Sequence, residues 1–389
     1  MVTMETAEKA LKTVYLGVVA NQLNVGVNPL LAKIRQTSSD VWGKEIVKLV
    51  PYGLNGGIGA GTETGDLPAA AANNYDRFRL ELKNLYGTIE LSDKAIRASQ
   101  NSVGAFVNLL DAEMEGLLKA SKFNLGRMLY GDGSGKIAKI SSQGSSNNEI
   151  VVDSVKNLIE GMVVDVYNGS TDTVRDGMKG VRITSIDRAA KKVVFGGVSG
   201  ATVEANDYVT VQGSKDNELT GLGAIFSSNP LYGLERTGRA WMKPGSKSAV
   251  GSISFVGMQS AIDEVEEVSG GTIDMIVCAY DVRRFYLDNC MSARMNLDYM
   301  NLDGGYKAVT FNGIPVVADK FVEDGTMYML NTADFRLHQL CDWRWLEGDG
   351  GRVIKQKAGS ATYSATLVKY ADLICDKPIG QYKLSGITA

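Results

Sequence analysis

The sequence predicts an α+β protein that carries a small β-barrel insertion. Apolar residues recur at helical spacing over about residues 102–130, which predicts one long helix. From about 140 to 222 the chain changes to short β-rich runs separated by glycine, asparagine, aspartate and serine, a pattern typical of a compact barrel. Helix and strand patterns then alternate over residues 223–389, as in a second α/β or α+β body.

Composition excludes several classes of function. The chain has 389 residues, of which 44 are glycine and one, His338, is histidine. A single histidine leaves little material for imidazole acid–base catalysis or for histidine-based metal sites. The formal net charge of −3 does not favour binding of nucleic acid by bulk charge, and no apolar run is long enough for a membrane span. We therefore predict no catalytic residue, no metal, no cofactor and no membrane contact.

The cysteines and the N-terminal residues indicate a soluble protein with reduced thiols. The cysteines lie far apart without a Cys-x-x-Cys pair, which argues against a zinc ribbon, a redox motif or a disulfide framework. Acidic and basic residues interrupt the short apolar stretches at the N-terminus, unlike the continuous apolar core of a cleaved signal peptide.

Residues 1–50 are predicted to form an N-terminal arm, with helical spacing near its start and an extended run over residues 41–50. Glycine and alanine dominate residues 51–74, which can bury little apolar surface and therefore predict a long exposed loop. We interpret the glycines of this loop as candidate intersubunit contacts: Gly56, Gly57, Gly59 and Gly61.

The residues after this loop alternate between apolar and charged, which predicts a strand with two unlike faces. Phe78, Leu80 and Leu82 share the apolar face. Together with residues 41–50 this strand predicts a two-stranded arm, and we expect a partner subunit to cover its apolar face because a lone hairpin is marginal in water. The opposite, charged face supplies further candidate intersubunit contacts: Arg77, Arg79, Glu81 and Lys83.

The predicted long helix has one apolar stripe and one charged face. Glu115 and Lys119 on the charged face form an i,i+4 pair that contributes a few tenths of a kcal/mol, and both are candidate intersubunit contacts. The helix is expected to end at the glycine-rich "YGDGSGK". The stripe consists of Phe106, Leu110, Met114, Leu117, Leu125 and Met128.

The remaining elements follow from local patterns. Barrel strands are predicted at 162–167, 181–186, 192–195 and 208–212, and the polar "SSQGSSNNE" beginning at Ser141 is interpreted as a linker. Farther along, helices are predicted near 252–269 and 281–290, and strands near 273–279, 313–318 and 327–330.

Short motifs favour structural roles over chemical ones. The segment 131–136 resembles a phosphate-binding loop but lacks the first glycine and the final serine or threonine, so we interpret it as a turn. The spacing of Gly57, Gly59 and Gly61 does not match a dinucleotide fingerprint, which favours a loop tip. Cys278 lies in an apolar run and is predicted to be a core residue.

Three further sets of residues could have a catalytic or sugar-binding role instead of a structural one. His338 and Cys341 are close in sequence, but a strand would place them on opposite faces. Acidic pairs such as Asp263 with Glu267 could serve a glycosidase, although their helical spacing favours a solvated face. The aromatic group could form a sugar platform, although a role in the core or an interface is favoured; it comprises Trp343, Trp345 and Tyr363.

The order of these elements resembles the major capsid proteins of tailed bacteriophages, which have the Hong Kong 97-type fold. "LLDAEMEGLLKASKFNLGRMLYGDGSG" (109–135) is similar to the spine helix of that family and the turn after it. "NELTGLGAIF" (217–226) leads out of the insertion. The segments "MIVCAYDVRRFYLDNC" (275–290), "GIPVVADKFVEDGTMYMLN" (313–331) and "DWRWLEGDG" (342–350) resemble the core of its axial domain.

The resemblance implies a division of the chain. We expect an N-terminal arm (1–50), an extended hairpin loop (51–92), a spine helix with the peripheral domain (93–139), the β-rich insertion (140–222), and an axial domain with return strands of the peripheral domain (223–389).

The resemblance also implies a function: a major capsid protein that self-assembles into hexamers and pentamers, forming an icosahedral virion shell around double-stranded DNA. The hairpin loop would lie over an adjacent subunit. Scaffold, portal and decoration proteins are implied partners, the packaged DNA would be held by weak nonspecific contact, and assembly would occur in the host cytoplasm. An encapsulin-like cellular compartment shares the fold, and a soluble glycan-active enzyme is the alternative of another class.

Overall fold

A computed structural model describes most of the chain after residue 27. The helical spacing predicted near the start of the arm, and the side chains of Phe106, Leu110 and Glu115, lie outside the described part. The described residues are 28–38, 41, 45–93, 103–198, 202–292, 299–301, 307–347 and 353–389.

Helices and strands alternate along the described residues. The helices are α1 (Pro29–Lys33), α2 (Val103–Met128), α3 (Leu222–Ile225), α4 (Phe255–Ser269) and α5 (Tyr280–Ser292), and 3₁₀ turns lie at Ala240–Met242, Thr332–Asp334 and Pro378–Gly380. The strands are β1 (Arg35–Thr37), β2 (Glu45–Tyr52), β3 (Asn74–Glu81), β4 (Lys83–Ser92), β5 (Lys136–Gln143), β6 (Glu149–Val152), β7 (Val163–Tyr167), β8 (Val181–Asp187), β9 (Lys192–Gly196), β10 (Tyr208–Val211), β11 (Gly245–Lys247), β12 (Gly251–Ser252), β13 (Met275–Cys278), β14 (Tyr299–Asn301), β15 (Lys307–Phe311), β16 (Ile314–Ala318), β17 (Met327–Leu330), β18 (Phe335–Trp345), β19 (Lys355–Gln356), β20 (Thr362–Cys375), β21 (Tyr382–Leu384) and β22 (Ile387–Thr388).

The long helix α2 confirms the helical prediction. From its middle to its C-terminal end the helix buries Met114, Leu118 and Leu125, whereas Lys119 is exposed. The helix packs on strand β4 at Gly87, where a Cβ atom would lie 2.8 Å from a methyl carbon of Leu117. Packing of this stripe, rather than surface ion pairs, therefore holds the helix on the sheet.

Two sheets form the main body. A five-stranded sheet has the order β1-β18-β20-β19 with β4 paired to β20, so its strands come from both ends of the chain. A seven-stranded mixed sheet has the order β11-β21-β17-β13-β16-β15-β14, and the strands and helices predicted in this region are confirmed. Every residue of β13 is buried, as expected of a strand covered on both faces.

Strands β5 to β10 close into a six-stranded barrel with the order β10-β5-β6-β9-β8-β7. The barrel has a hydrophobic core of its own, separate from that of the main body. The linker predicted at Ser141 is wrong, because Ser141 lies within β5 and a tight turn joins β5 to β6. The amide of Gly144 donates to the carbonyl of Glu149 in this turn, at 2.9 Å. Small polar side chains are compatible with the solvated face of a barrel strand, so composition alone was misleading.

The barrel joins the main body through a narrow neck formed by residues 129–135 and 214–222. The amide of Leu222 donates to the carbonyl of Leu129 at 2.8 Å, and the amide of Asp216 donates to the carbonyl of Ser134 at 3.0 Å. At Gly221 a Cβ atom would overlap neck carbonyl groups. Gly135 has φ +78° and the same close approach. The two connections therefore touch backbone to backbone.

A buried ion pair fastens the neck to the helix. Both terminal nitrogens of Arg127, in the last turn of α2, donate to the carboxylate of Glu218 at 2.8 and 2.5 Å, and both side chains are buried. On another side of the barrel, Lys156 forms an ion pair with Asp324 of the main body. Sequence reasoning missed the Arg127–Glu218 pair because the partners are 91 residues apart.

Substitution of Arg127 by Met should destabilise the protein by about 3–5 kcal/mol, because Glu218 would remain buried without a counterion. The urea concentration at the midpoint of unfolding measures this change. The double variant Arg127→Met/Glu218→Met is the matched control and should recover most of the loss. An unchanged midpoint in the single variant would contradict the structural role of the pair.

Candidate assembly surface

Strands β2 and β3 form the predicted two-stranded arm. They pair in antiparallel register from Glu45 opposite Glu81 to Tyr52 opposite Asn74. The loop between them, residues 53–73, carries the predicted glycines Gly56, Gly57, Gly59 and Gly61. Its large apolar side chains, Leu54, Ile58 and Leu67, are 83%, 78% and 91% exposed.

The apolar face of the arm is covered by the chain itself. The ring of Phe78 lies 5.0 Å from that of Tyr232 and 5.9 Å from that of Trp241, which also stacks on Tyr52 at 5.2 Å. The expectation that a partner subunit supplies this cover is therefore wrong. The alternation of the strand predicts that a cover exists, but residues more than 150 positions away in the sequence provide it.

Polar contacts reinforce this docking. Arg239 forms an ion pair with Asp76 at 2.9 Å, and Lys48 forms one with Asp376 at 2.6 Å. The amide of Arg79 also donates to the carbonyl of Tyr232 at 2.9 Å. The base of the arm is thus fixed to the main body along both strands.

The outer face of the arm is mixed rather than purely charged. Arg77 and Arg79 of β3 are exposed, as predicted, and so is Glu81. Directly opposite the two arginines, on β2, lie Leu49 and Val47, which are also exposed. Side chains of directly paired residues share one face of a sheet, so this outer face combines apolar area with positive charge.

Lys83 does not belong to this face. Strand β3 ends at Glu81, and Lys83 begins β4, where it pairs with Ala371 and donates from its Nζ to the carbonyl of Asp216 at 3.0 Å. The apolar–polar alternation continues across the break at Leu82, which is why the sequence indicated a single strand. Lys119 is exposed on α2, apart from the arm.

Most of the motif interpretations agree with the structure. Residues 131–135 form a turn in which the side chain of Asp132 accepts from the amide of Ser134. Cys278 is fully buried, and burial raises the pKa of its thiol to about 12, which is unfavourable for a nucleophile.

Within the described residues no helix is long and apolar enough to cross a membrane, and no group of metal-binding side chains is found.

The structure does not support the aromatic and acidic residues as a glycan-binding or catalytic site. Trp343 and Trp345 are buried, whereas a sugar platform needs an exposed aromatic face. Asp263, Glu266 and Glu267 lie on the exposed side of α4, as expected of a solvated face. These residues therefore offer no enclosed site for acid–base chemistry.

The histidine lies beside a buried carboxyl group. His338 on β18 pairs in register with Asp372 on β20, and both are buried. The carboxylate of Asp372 accepts from the amide and hydroxyl of Thr220 at 2.7 and 3.0 Å, so it also holds the return segment of the neck. Cys341 lies beyond a bulge in β18, opposite Tyr370.

Comparison with known proteins identifies the fold. No protein-family model and no curated protein matches this chain. A chain of the cyanophage A-1(L) capsid superposes with a TM-score of 0.57 at 12% identity, over 94% of each chain. The chain has the fold of a phage capsid subunit. Lower TM-scores are found for the capsid of Myoviridae phage XM1 (0.47, 10% identity, 93% of this chain and 92% of that one) and an encapsulin of Synechococcus elongatus (0.44, 8% identity, 92% and 86%).

Burial raises the pKa of Asp372 to about 6, above the value of about 4 expected in the unfolded chain. The folded state therefore binds this proton more tightly, and the resulting stabilisation, roughly 3 kcal/mol, should be lost as pH rises from about 4 through 6. The Asp372→Asn variant should lack this part of the pH dependence in urea unfolding. Burial also raises the pKa of Asp334 to about 6, so Asp334→Asn is the matched control and should keep the Asp372 contribution. Parallel pH profiles for wild type and Asp372→Asn would contradict this assignment.

Proposed function

We propose that this protein is the major capsid protein of a tailed bacteriophage. In this proposal the subunits have the Hong Kong 97-type fold and assemble into hexamers and pentamers of an icosahedral shell around double-stranded DNA. The observation that carries the proposal is the likeness to a phage capsid chain over 94% of both chains. The division into N-terminal arm, extended hairpin, spine helix, insertion and axial domain is part of the proposal, with two boundaries moved: the hairpin takes in β2 from Glu45, and the insertion begins with β5 at Lys136 instead of residue 140.

The two-stranded arm, formed by β2, β3 and the loop between them, gives this proposal a physical basis. Its base is fixed to its own subunit, while its loop carries exposed apolar side chains and its outer face combines arginines with Val47 and Leu49. Such a surface favours a protein partner, and a symmetric shell repeats each weak contact many times. A near-neutral net charge suits a container whose DNA is held by weak nonspecific contact. Scaffold, portal and decoration proteins, and assembly in the host cytoplasm, are further parts of the proposal.

The purified protein should assemble into closed shells or rings, visible by negative-stain electron microscopy and as a large species in size exclusion. Protein that remains monomeric at every salt concentration, with and without co-expressed phage assembly proteins, would contradict the proposal. Shells that contain a protein cargo and exclude DNA would favour the encapsulin-like alternative.

Deletion of residues 56–72 should leave a folded subunit that assembles poorly, because these residues contribute no buried core side chain. Circular dichroism checks the fold, and microscopy with size exclusion measures assembly. The variant Ile58→Ser/Leu67→Ser keeps the chain length and removes only the exposed apolar groups of the deleted residues. It should fold like wild type and assemble less well, which assigns part of the loss to those two side chains. Loss of the fold in the deletion variant would show instead that the loop is structural.

A further inference from the structure

A polar cavity of about 360 Å³ lies between the end of α3 and strand β11. Two cationic side chains, Arg236 and Lys243, contribute to its wall together with four hydroxyl groups, and its lining includes no carboxylate among the described residues. The hydroxyl groups belong to Ser227, Ser228, Thr237 and Ser246. Guanidinium, ammonium and hydroxyl donors together match an oxyanion.

Arg236 lacks a counterion in the described part of the chain. The side chain is only 3% exposed, and its terminal nitrogens donate to the carbonyls of Ile225 and Ala224, both at 2.7 Å. Its Nε has no hydrogen-bond partner. Burial lowers the pKa of the guanidinium, and the pKa values of the neighbouring Tyr232 and Cys375 are raised by burial, so neither neighbour supplies a negative charge. A buried cation in this position is destabilised until an anion joins it.

The segment that supplies much of the cavity wall is rich in basic residues. Residues 236–247 contain four basic residues and no acidic residue, "RTGRAWMKPGSK". Arg239 is already paired with Asp76, whereas Lys243 and Lys247 are exposed and have no ion pair among the described residues. Of these two lysines, Lys243 lines the cavity, so its positive charge remains available at the cavity wall.

The tip of the hairpin loop has the complementary charge and shape. Glu63 and Asp66 are exposed and unpaired within the described residues, and residues 53–73 contain no basic residue. The amide of Gly65 donates to the carbonyl of Thr62 at 3.1 Å, which closes a tight turn with Glu63 at its corner. A narrow turn can enter a concave cavity, whereas the acidic side of α4 is a broad helical surface. No hydrogen bond or ion pair joins residues 54–72 to the cavity within the described chain.

We propose that the Arg236 cavity binds the acidic turn at Glu63–Asp66 from the hairpin loop of a second copy of this chain. The inference rests on the proposed function and adds which surfaces of two subunits meet. A carboxylate of the incoming turn would supply the counterion that Arg236 lacks among the described residues of its own subunit. Assembly would thereby relieve the cost of a buried charge, which couples loop docking to shell formation.

Carbodiimide crosslinking of assembled shells tests this contact, because it joins a carboxyl group to an amine at contact distance. Shells made from mixed isotopically light and heavy subunits should yield mixed-isotope peptides that link Glu63 or Asp66 to Lys243 or Lys247. Shells that form without such a link would overturn the inference and leave the capsid proposal intact. Wild-type protein that forms neither shells nor rings would overturn both.

Charge reversal provides a second test at exposed positions, where the fold should survive. Lys243→Glu and the pair Glu63→Lys/Asp66→Lys should each reduce the assembled fraction at least tenfold, and the combination should restore assembly. Lys179→Glu, the same change at an exposed site on the barrel, is the matched control and should assemble like wild type. Normal assembly of both reversed variants would overturn the inference.

The same variants distinguish two other anions that could occupy the cavity, a free phosphate ion and nucleic acid. A rise in melting temperature of the unassembled subunit with inorganic phosphate, lost in Lys243→Glu and without a loop crosslink, would replace the second copy by a free ion. Salt-dependent binding of a short DNA duplex that is lost in Lys243→Glu, again without the crosslink, would replace it by nucleic acid. Either result would overturn the inference.

Discussion

The buried ion pair between Arg127 and Glu218 is the contact on which the arrangement of the long helix, the barrel and the five-stranded sheet depends. It joins the last turn of the long helix to the segment that returns from the barrel. Two residues later, Thr220 is held by Asp372 of the five-stranded sheet. Helix, barrel and sheet therefore meet within a few residues. Because Leu222 also bonds to Leu129, the chain re-enters the main body at the point where it left it, and a barrel with its own core is added without disturbing the rest.

Three buried charged groups near these junctions differ in how their charge is compensated. Arg127 has a bidentate carboxylate, and Asp372 accepts hydrogen bonds from Thr220 and from the amide of Leu373. Within the described part of the chain, Arg236 has two backbone carbonyls and no carboxylate. The cost of burying charge explains the consequence of each: the first pair is structural and the second group is sensitive to pH, while in our inference the third receives an anion from a second subunit.

The two-stranded arm links the cost of burying charge to assembly. Its base is fixed by aromatic stacking on Trp241 and by two ion pairs, so the loop is presented from a firm support. The segment that covers the arm, residues 231–242, continues directly into the positive cavity. One stretch of chain therefore supports the subunit's own arm and, in our inference, receives the arm of its neighbour. A fixed base lowers the entropy cost of each such contact in a repeated shell.

Local periodicity alone determined much of the fold. The spacing of Met114, Leu117 and Leu125 predicted α2, and the alternation around Phe78 predicted a strand with one buried face, because both patterns depend on near neighbours. The resemblance of several segments predicted the capsid fold. The tertiary structure decided the contacts between distant residues. Trp241 covers the arm, Lys83 begins another strand and Glu218 neutralises Arg127, while Arg236 has no carboxylate partner among the residues that the structure describes. Burial and charge pairing join residues far apart in sequence, so no local pattern contains them.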